Sequence, residues 1–139
     1  MTFFTIHADG GSRGNPGPSG AGAMIRDEFG NSVASVSQYL GIRTNNFAEY
    51  EAVILALDTL AKLLKGKTNG VDITVKMDSE LVVKQMKGEY KVKHPTMRVQ
   101  YDRLVEAGKS FKRISFTHVF REENSDADAL ANEAMDRGA

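Results

Sequence analysis

The sequence predicts an α/β fold in which a five-stranded mixed sheet, an antiparallel three-strand meander plus two parallel strands, is flanked by helices. Three observations carry this expectation. The chain opens with short segments that alternate apolar and polar residues, the period of a half-buried strand. Segments with apolar residues three and four positions apart follow, the period of an amphipathic helix, and two further alternating runs lie between them. Strands joined through helices need right-handed crossovers, so the later strands should run parallel to the first.

Phe3 to Ala8 is the first strand, and a Gly/Pro-rich loop is expected from Gly10 to Gly20. Ala21 to Arg26 is the second strand. The turn Asp27-Glu28-Phe29-Gly30-Asn31 leads to the third, Ser32 to Leu40, where Val33, Ser35 and Ser37 alternate with Ala34, Val36 and Gln38. From Asn46 to Lys65 a long helix sets Val53, Ala56, Leu57, Leu60 and Leu64 at helical spacing and ends at Gly66. Val71, Ile73, Val75 and Met77 mark a fourth strand, and Glu80 to Lys87 is a helix that Gly88 stops. Pro95 precedes a helix from Met97 to Lys109, Ile114 to Phe120 is the fifth strand, and Ser125 to Arg137 is a closing helix. No repeat, low-complexity tract or linker divides the chain, so residues 1–139 read as one domain.

Composition limits the function. With 41% hydrophobic and 26% charged residues the chain has the make-up of a soluble globular domain. Eighteen basic residues balance eighteen acidic ones, so no global field draws it to a polyanion, and any such site must be local. Cysteine is absent, which removes disulfide and thiolate chemistry, and the opening MTFFTIHAD alternates like a strand rather than a targeting segment. A cytoplasmic, monomeric protein is expected. No apolar stretch approaches the roughly 20 residues that span a bilayer, so no membrane partner is expected.

In open α/β sheets ligands bind beyond the carboxyl ends of the strands, and Asp9 and Asp78 stand where strands are expected to end. Asp9 has a rival reading as a turn aspartate before Gly10-Gly11, and Asp78 as a helix cap. Glu49 lies three residues after Asn46, which resembles a capping box, yet it shares a helical row with Val53, Ala56 and Leu60 and so faces the sheet. Asp128 likewise fits a cap pattern with Ser125, and Asp126 competes with it. Jointly the four acids say more than singly, since all could converge on one sheet edge. Close carboxylates raise one another's pKa values and resist ionisation unless cations intervene. An oxygen-only ligand set favours Mg²⁺ or Mn²⁺, and the spacing of His7, His94 and His118 suggests no zinc site.

Four segments, in order, resemble the type 1 ribonuclease H family over nearly the whole chain. They are Asp9-Gly10-Gly11-Ser12-Arg13-Gly14-Asn15-Pro16-Gly17-Pro18, Thr44-Asn45-Asn46-Phe47-Ala48-Glu49, Met77-Asp78-Ser79-Glu80 and Asn124-Ser125-Asp126-Ala127-Asp128-Ala129-Leu130-Ala131. The resemblance implies Asp9, Glu49, Asp78 and Asp128 as catalytic metal ligands, with Asp126 outside the matched position. It implies two cations about 4 Å apart flanking the scissile phosphate, one activating water and the other stabilising the leaving 3′ oxygen. The implied activity is hydrolysis of the RNA strand of an RNA–DNA hybrid, leaving 5′-phosphate and 3′-hydroxyl ends. Gly10, Gly11, Ser12, Arg13, Asn15, Asn45, Asn46, Ser79, Glu80 and Lys87 are the implied substrate contacts, together with Thr44 at a DNA phosphate. Reading ribose 2′-hydroxyls in a shallow groove suits such short polar groups.

Three departures qualify the match. The basic helix and loop of better-known bacterial members is here a shorter segment holding Lys84, Lys87, Lys91, Lys93 and His94. The auxiliary histidine before the last acid is replaced by Arg121-Glu122-Glu123, leaving Arg121 as the candidate for that role. Glu80 stands where a glutamine often follows Asp-Ser. A same-fold nuclease acting also on double-stranded RNA and a non-catalytic nucleic-acid-binding module are the competing readings.

Overall fold

In the computed structural model, which describes residues 3–139, the chain forms a five-stranded sheet and four α-helices. Met1 and Thr2, the start of the alternating opening, lie outside the described residues. The strands are β1 (Phe3–Ser12), β2 (Gly17–Arg26), β3 (Ser32–Arg43), β4 (Asp72–Met77) and β5 (Arg113–His118). The helices are α1 (Asn45–Leu63), α2 (Glu80–Met86), α3 (Pro95–Gly108) and α4 (Ser125–Arg137), with a short 3-10 turn at Arg121–Asn124. The sheet order is β3-β2-β1-β4-β5. β1–β2 and β2–β3 pair antiparallel, whereas β1–β4 and β4–β5 pair parallel, as the crossover rule requires.

Alternation along β1 assigns the two faces. Phe4, Ile6 and Ala8 are buried and pair with Ile73 and Val75 of β4 and with Ile25 and Ala23 of β2, forming the apolar floor under α1. From α1 come Val53, Ala56, Leu57 and Leu60, all fully buried, which is the apolar stripe that the helical spacing predicts. The opposite face carries Thr5, His7, Asp9 and Gly11, and α4 lies across it where β1 meets β2.

The expected loop from Gly10 to Gly20 is mostly strand. β1 runs on to Ser12 and β2 begins at Gly17, paired from Gly10↔Ala21 to Ser12↔Ser19, so only residues 13–16 turn. The glycines are there for proximity. A Cβ at Gly10 would stand 2.1 Å from the Ala48 carbonyl carbon, and one at Gly22 would stand 2.3 Å from the Ala127 oxygen. Helix backbone therefore rests on strand backbone on both faces, and α4 matches the glycines with its own small buried residues Ala127, Ala131 and Ala134.

Other boundaries move for local reasons. β3 continues to Arg43. Thr44, not Asn46, caps α1, its hydroxyl accepting from Phe47 N at 3.2 Å. α3 begins at Pro95, capped by His94. β5 stops at His118, after which Val119 N bonds to the Met77 carbonyl at 2.8 Å and the chain turns. Among the described residues no helix is long and apolar enough to cross a membrane.

Substitution tests the close contact directly. Gly22→Ala should destabilise the fold by about 1–3 kcal/mol or more, because the added carbon meets backbone that cannot rotate away. Gly70→Ala has open space around it and should stay within about 0.5 kcal/mol of the parent in urea denaturation. Equal midpoints for the two variants would contradict this packing.

Candidate active site

Each of the four acids arrives from a different element. Asp9 pairs across β1–β2 with Gly22, and it lies just past His7↔Lys76, where pairing between β1 and β4 ends. It therefore sits within β1 and not at its end, but at the end of the parallel part of the sheet. Asp78 follows the last residue of β4, and the cap of α2 is its neighbour Ser79, whose hydroxyl accepts from Val82 N at 3.4 Å. Glu49 stands in the second turn of α1, seated by the contact of Ala48 and Glu49 backbone with Gly10. Asp128 is in the first turn of α4.

The capping readings of these acids fall away. Thr44 takes the α1 cap, so Glu49 has no box to close. Asn124, not Ser125, is the N-cap position of α4, and no side chain caps that helix. Asp126 turns outward to Arg26 at 2.5 Å, while Asp128 lines the same cleft as the other three acids.

That cleft has a volume of about 490 Å³ and is lined by Asp9, Glu49, Asp78 and Asp128 with Gly10, Gly11, Ser12, Arg13, Asn45, Asn46 and Arg121. Ala131, Asn132 and Met135 of α4 complete it. These three were not legible as site residues, since on a helix they differ little from its small-residue packing stripe. A neighbouring recess of about 240 Å³ holds Asn15, Thr44 and Asn46 with His94, Thr96 and Met97. Backbone bonds tie the two together: Asn45 N donates to Asn15 Oδ1 at 3.0 Å, and Ser12 N donates to Asn45 Oδ1 at 2.7 Å. Glu80 and Lys87 line neither recess. Glu80 pairs with Lys84 at 3.4 Å, and Lys87 is the exposed cap residue that ends α2.

Electrostatics separate this cleft from an ordinary polar surface. Burial, then the charge of Asp78, a hydrogen bond to Asp128, and the charges of Asp128 and Glu49 push the Asp9 carboxyl from 3.8 up to about 8. Burial pushes Glu49 up to about 7; a hydrogen bond from Ser79 opposes the rise and the charge of Asp78 adds to it. Two cations border the acids. Arg13 is held by Asp136 at 2.6 Å, and exposed Arg121 stands 3.7 Å from Asp128 Oδ1. Among the described residues no three His, Asp or Glu side chains form a ready-made metal cage. The acids line an open cleft, a form that fits a hard divalent cation which keeps waters and draws further ligands from a bound phosphate.

Residues 7–134 match the protein family described as reverse transcriptase-like. The chain is 44% identical over 135 residues to a bifunctional protein of Mycobacterium tuberculosis, covering 96% of this chain and 36% of that one. It is 42% identical over 133 residues to a ribonuclease HI of Halobacterium salinarum, covering 94% of this chain and 64% of that one. The chain thus spans less than two thirds of these relatives. Among solved structures, LC11-RNase H1 in complex with RNA/DNA hybrid superposes with a TM-score of 0.91 at 44% identity, covering 96% of this chain and 97% of that one.

The raised carboxyls predict how stability responds to pH. Asp9 and Glu49 hold their protons more tightly folded than unfolded, so between about 4 and about 8 the folded state binds more protons. Stability without divalent cations should therefore fall as pH rises through that window. Thermal melts in chelator from pH 4 to 9 should show this decline, and Asp9→Asn should flatten it. A parental stability that rises from pH 5 to 8 would contradict the coupling.

Proposed function

The chain belongs to the reverse transcriptase-like family and, within it, to the type 1 ribonucleases H, and from that premise we propose that its acid cleft hydrolyses the RNA strand of RNA–DNA hybrids. One observation carries the reading: four carboxylates from four elements meet in a cleft beside a polar recess. A relative of nearly equal length has been solved with RNA/DNA hybrid, which supports the substrate class.

Asp9, Glu49, Asp78 and Asp128 would hold Mg²⁺ or Mn²⁺, which when bound lowers the pKa of an attacking water and stabilises charge on the leaving oxygen. Asp9 and Glu49 must give up the protons that their surroundings favour, so loading releases protons near neutral pH. The Ser79 hydroxyl keeps Glu49 oriented as it ionises. Gly10, Gly11, Ser12, Asn45 and Asn46 present short polar groups and backbone to the 2′-hydroxyl groove. The bonds linking Asn15, Asn45 and Ser12 order this surface before substrate arrives, which lowers the entropy lost on binding. Asn15 joins Asn45 and Asn46 at that groove, Thr44 in the adjoining recess meets a phosphate of the DNA strand, and Arg13 borders the scissile strand. Arg121, poised beside Asp128, is the cation placed to meet the cleaved phosphate as it leaves. Glu80 and Lys87 stand further out and contact the substrate only at its margins. Products carry 5′-phosphate and 3′-hydroxyl ends. The same reading makes the enzyme cytoplasmic and monomeric.

Incubation with labelled hybrid, RNA duplex and DNA duplex, each with Mg²⁺ or Mn²⁺, tests the proposal. Hybrid alone should be cut efficiently, and comparable cutting of RNA duplex would redirect the substrate assignment. Asp9→Asn or Asp78→Asn should reduce cleavage to background without loss of fold. Asp128→Asn should do the same, while Asp126→Asn, which breaks a largely exposed pair, should cost less than about fivefold. The reverse order would put Asp126 in the site.

The lysines between α2 and α3 give a second test. Replacing Lys87, Lys91 and Lys93 by Ala in an Asp9→Asn background should weaken hybrid and DNA duplex alike, by a factor that shrinks as salt rises. An unchanged salt dependence would leave them as a solvated face.

A further inference from the structure

Behind the acid cleft stands a buried asparagine whose hydrogen bonds its place in the chain does not call for. Asn124 holds the N-cap position of α4, where an asparagine ordinarily accepts from a backbone N–H of the first turn. It makes no such bond. The side chain, 1% exposed, instead donates through Nδ2 to the Ala8 carbonyl at 2.9 Å and to Asp78 Oδ1 at 3.2 Å. Its Oδ1 is buried without a partner. Both neighbours are acceptors, so only the NH₂ end of the amide can face them.

The arrangement carries a local cost, a buried acceptor left unsatisfied, which the two Nδ2 bonds offset in part. Such local sacrifices are expected where a residue serves a site. The contacts show which one. Ala8 precedes Asp9 in β1, Asp78 follows β4, and Asn124 opens the helix that carries Asp128. One side chain thereby pins three of the four acid-bearing elements at a single point.

We propose that Asn124 is a positioning residue, which fixes the Asp78 carboxylate by a charge-assisted hydrogen bond and locks β1 and α4 to it, so that the acids are set for a divalent cation in advance. The inference rests on the proposed reading of Asp78 as a ligand. With one oxygen engaged from behind, the carboxylate can rotate little, and its second oxygen remains for the cleft. Partners of this kind commonly change metal affinity or activity by roughly 10–100-fold when lost.

Two substitutions separate positioning from capping or packing. Asn124→Ser can cap α4 but is too short to reach both Ala8 and Asp78. Asn124→Asp is isosteric and caps as well as asparagine, but when ionised it cannot donate to Asp78. Mn²⁺ affinity is measured by calorimetry on the substrate-free protein, kcat and KM with labelled hybrid, and fold by circular dichroism. Both variants should bind Mn²⁺ roughly 10–100-fold more weakly and lose kcat to a similar extent, while KM for hybrid changes little. Should Asn124→Asp fail to fold, Asn124→Ser carries the comparison. Parental Mn²⁺ affinity and kcat in folded Asn124→Ser would overturn the inference and leave the wider reading intact. Asp78→Asn is measured beside them; if it too binds Mn²⁺ like the parent, the ligand assignment of Asp78 is wrong and the inference falls with it.

Discussion

Backbone contact between helix and strand is the constraint on which this molecule depends. α1 meets β1 at Gly10, and α4 meets β2 at Gly20 and Gly22, at distances that leave no room for a Cβ. Any larger residue would push a helix outward by about the width of a methylene. That displacement matters less for the core, which could repack, than for the cleft, where Glu49 rides on α1 and Asp128 on α4. Gly22, on which α4 rests, is also the cross-strand partner of Asp9. Packing and site geometry are thus one problem solved by the same residues.

The sheet and its connectivity were readable because period and crossover rule agreed along the chain. What misled was glycine. Between Gly10 and Gly20 a run rich in Gly and Pro has the composition of a loop, yet a glycine that permits backbone approach looks in sequence just like one that permits a turn. Capping was misplaced for a related reason. Thr44, Asn45 and Asn46 are all competent caps, and the choice of Thr44 depends on where β3 ends, which its sequence does not mark. In the fourth segment, Ser125-x-x-Asp128 has the form of a cap and Asn124 the position of one, but the asparagine faces inward to Asp78. Asp126 and Asp128 could be told apart only through resemblance. The structure supplies the physical difference: one reaches Arg26 and the other enters the cleft.

Stability and site chemistry oppose each other here. Burial first, and then the neighbouring acids, push the Asp9 carboxyl up to about 8, a cost to the folded state that substitution would remove. The fold tolerates this because the load falls on rigid elements. Asp9 lies within β1, paired there with β2, Glu49 lies in a helix of 19 residues, and the core beneath is continuous. Of the four acids Asp78 alone stands outside a helix or strand, one residue past β4; a site built wholly on loops would relax by moving its acids apart. This one cannot, and the strain is available to whatever relieves it.

The sign of the local field then orders the events of binding. The chain has no net charge to gather a polyanion, and its cleft sets four carboxylates against Arg13 and Arg121, the former already engaged by Asp136. Without a cation the cleft offers a phosphate strand little attraction, its acids being partly protonated or facing these two arginines. On the proposed reading, binding begins elsewhere, at the recess of Asn15 and Thr44 and at the lysines that follow α2, where the strand not to be cut can settle first. On the proposed reading, divalent cations reverse the sign of the cleft, and only then does the second strand become a favourable neighbour for the acids. Substrate phosphate and cation would each improve the other's binding, since each supplies the charge the other lacks, and by linkage the two couplings are equal. An open cleft suits this reciprocity better than a closed one, because a site that already satisfied its cation would have nothing left to ask of the phosphate.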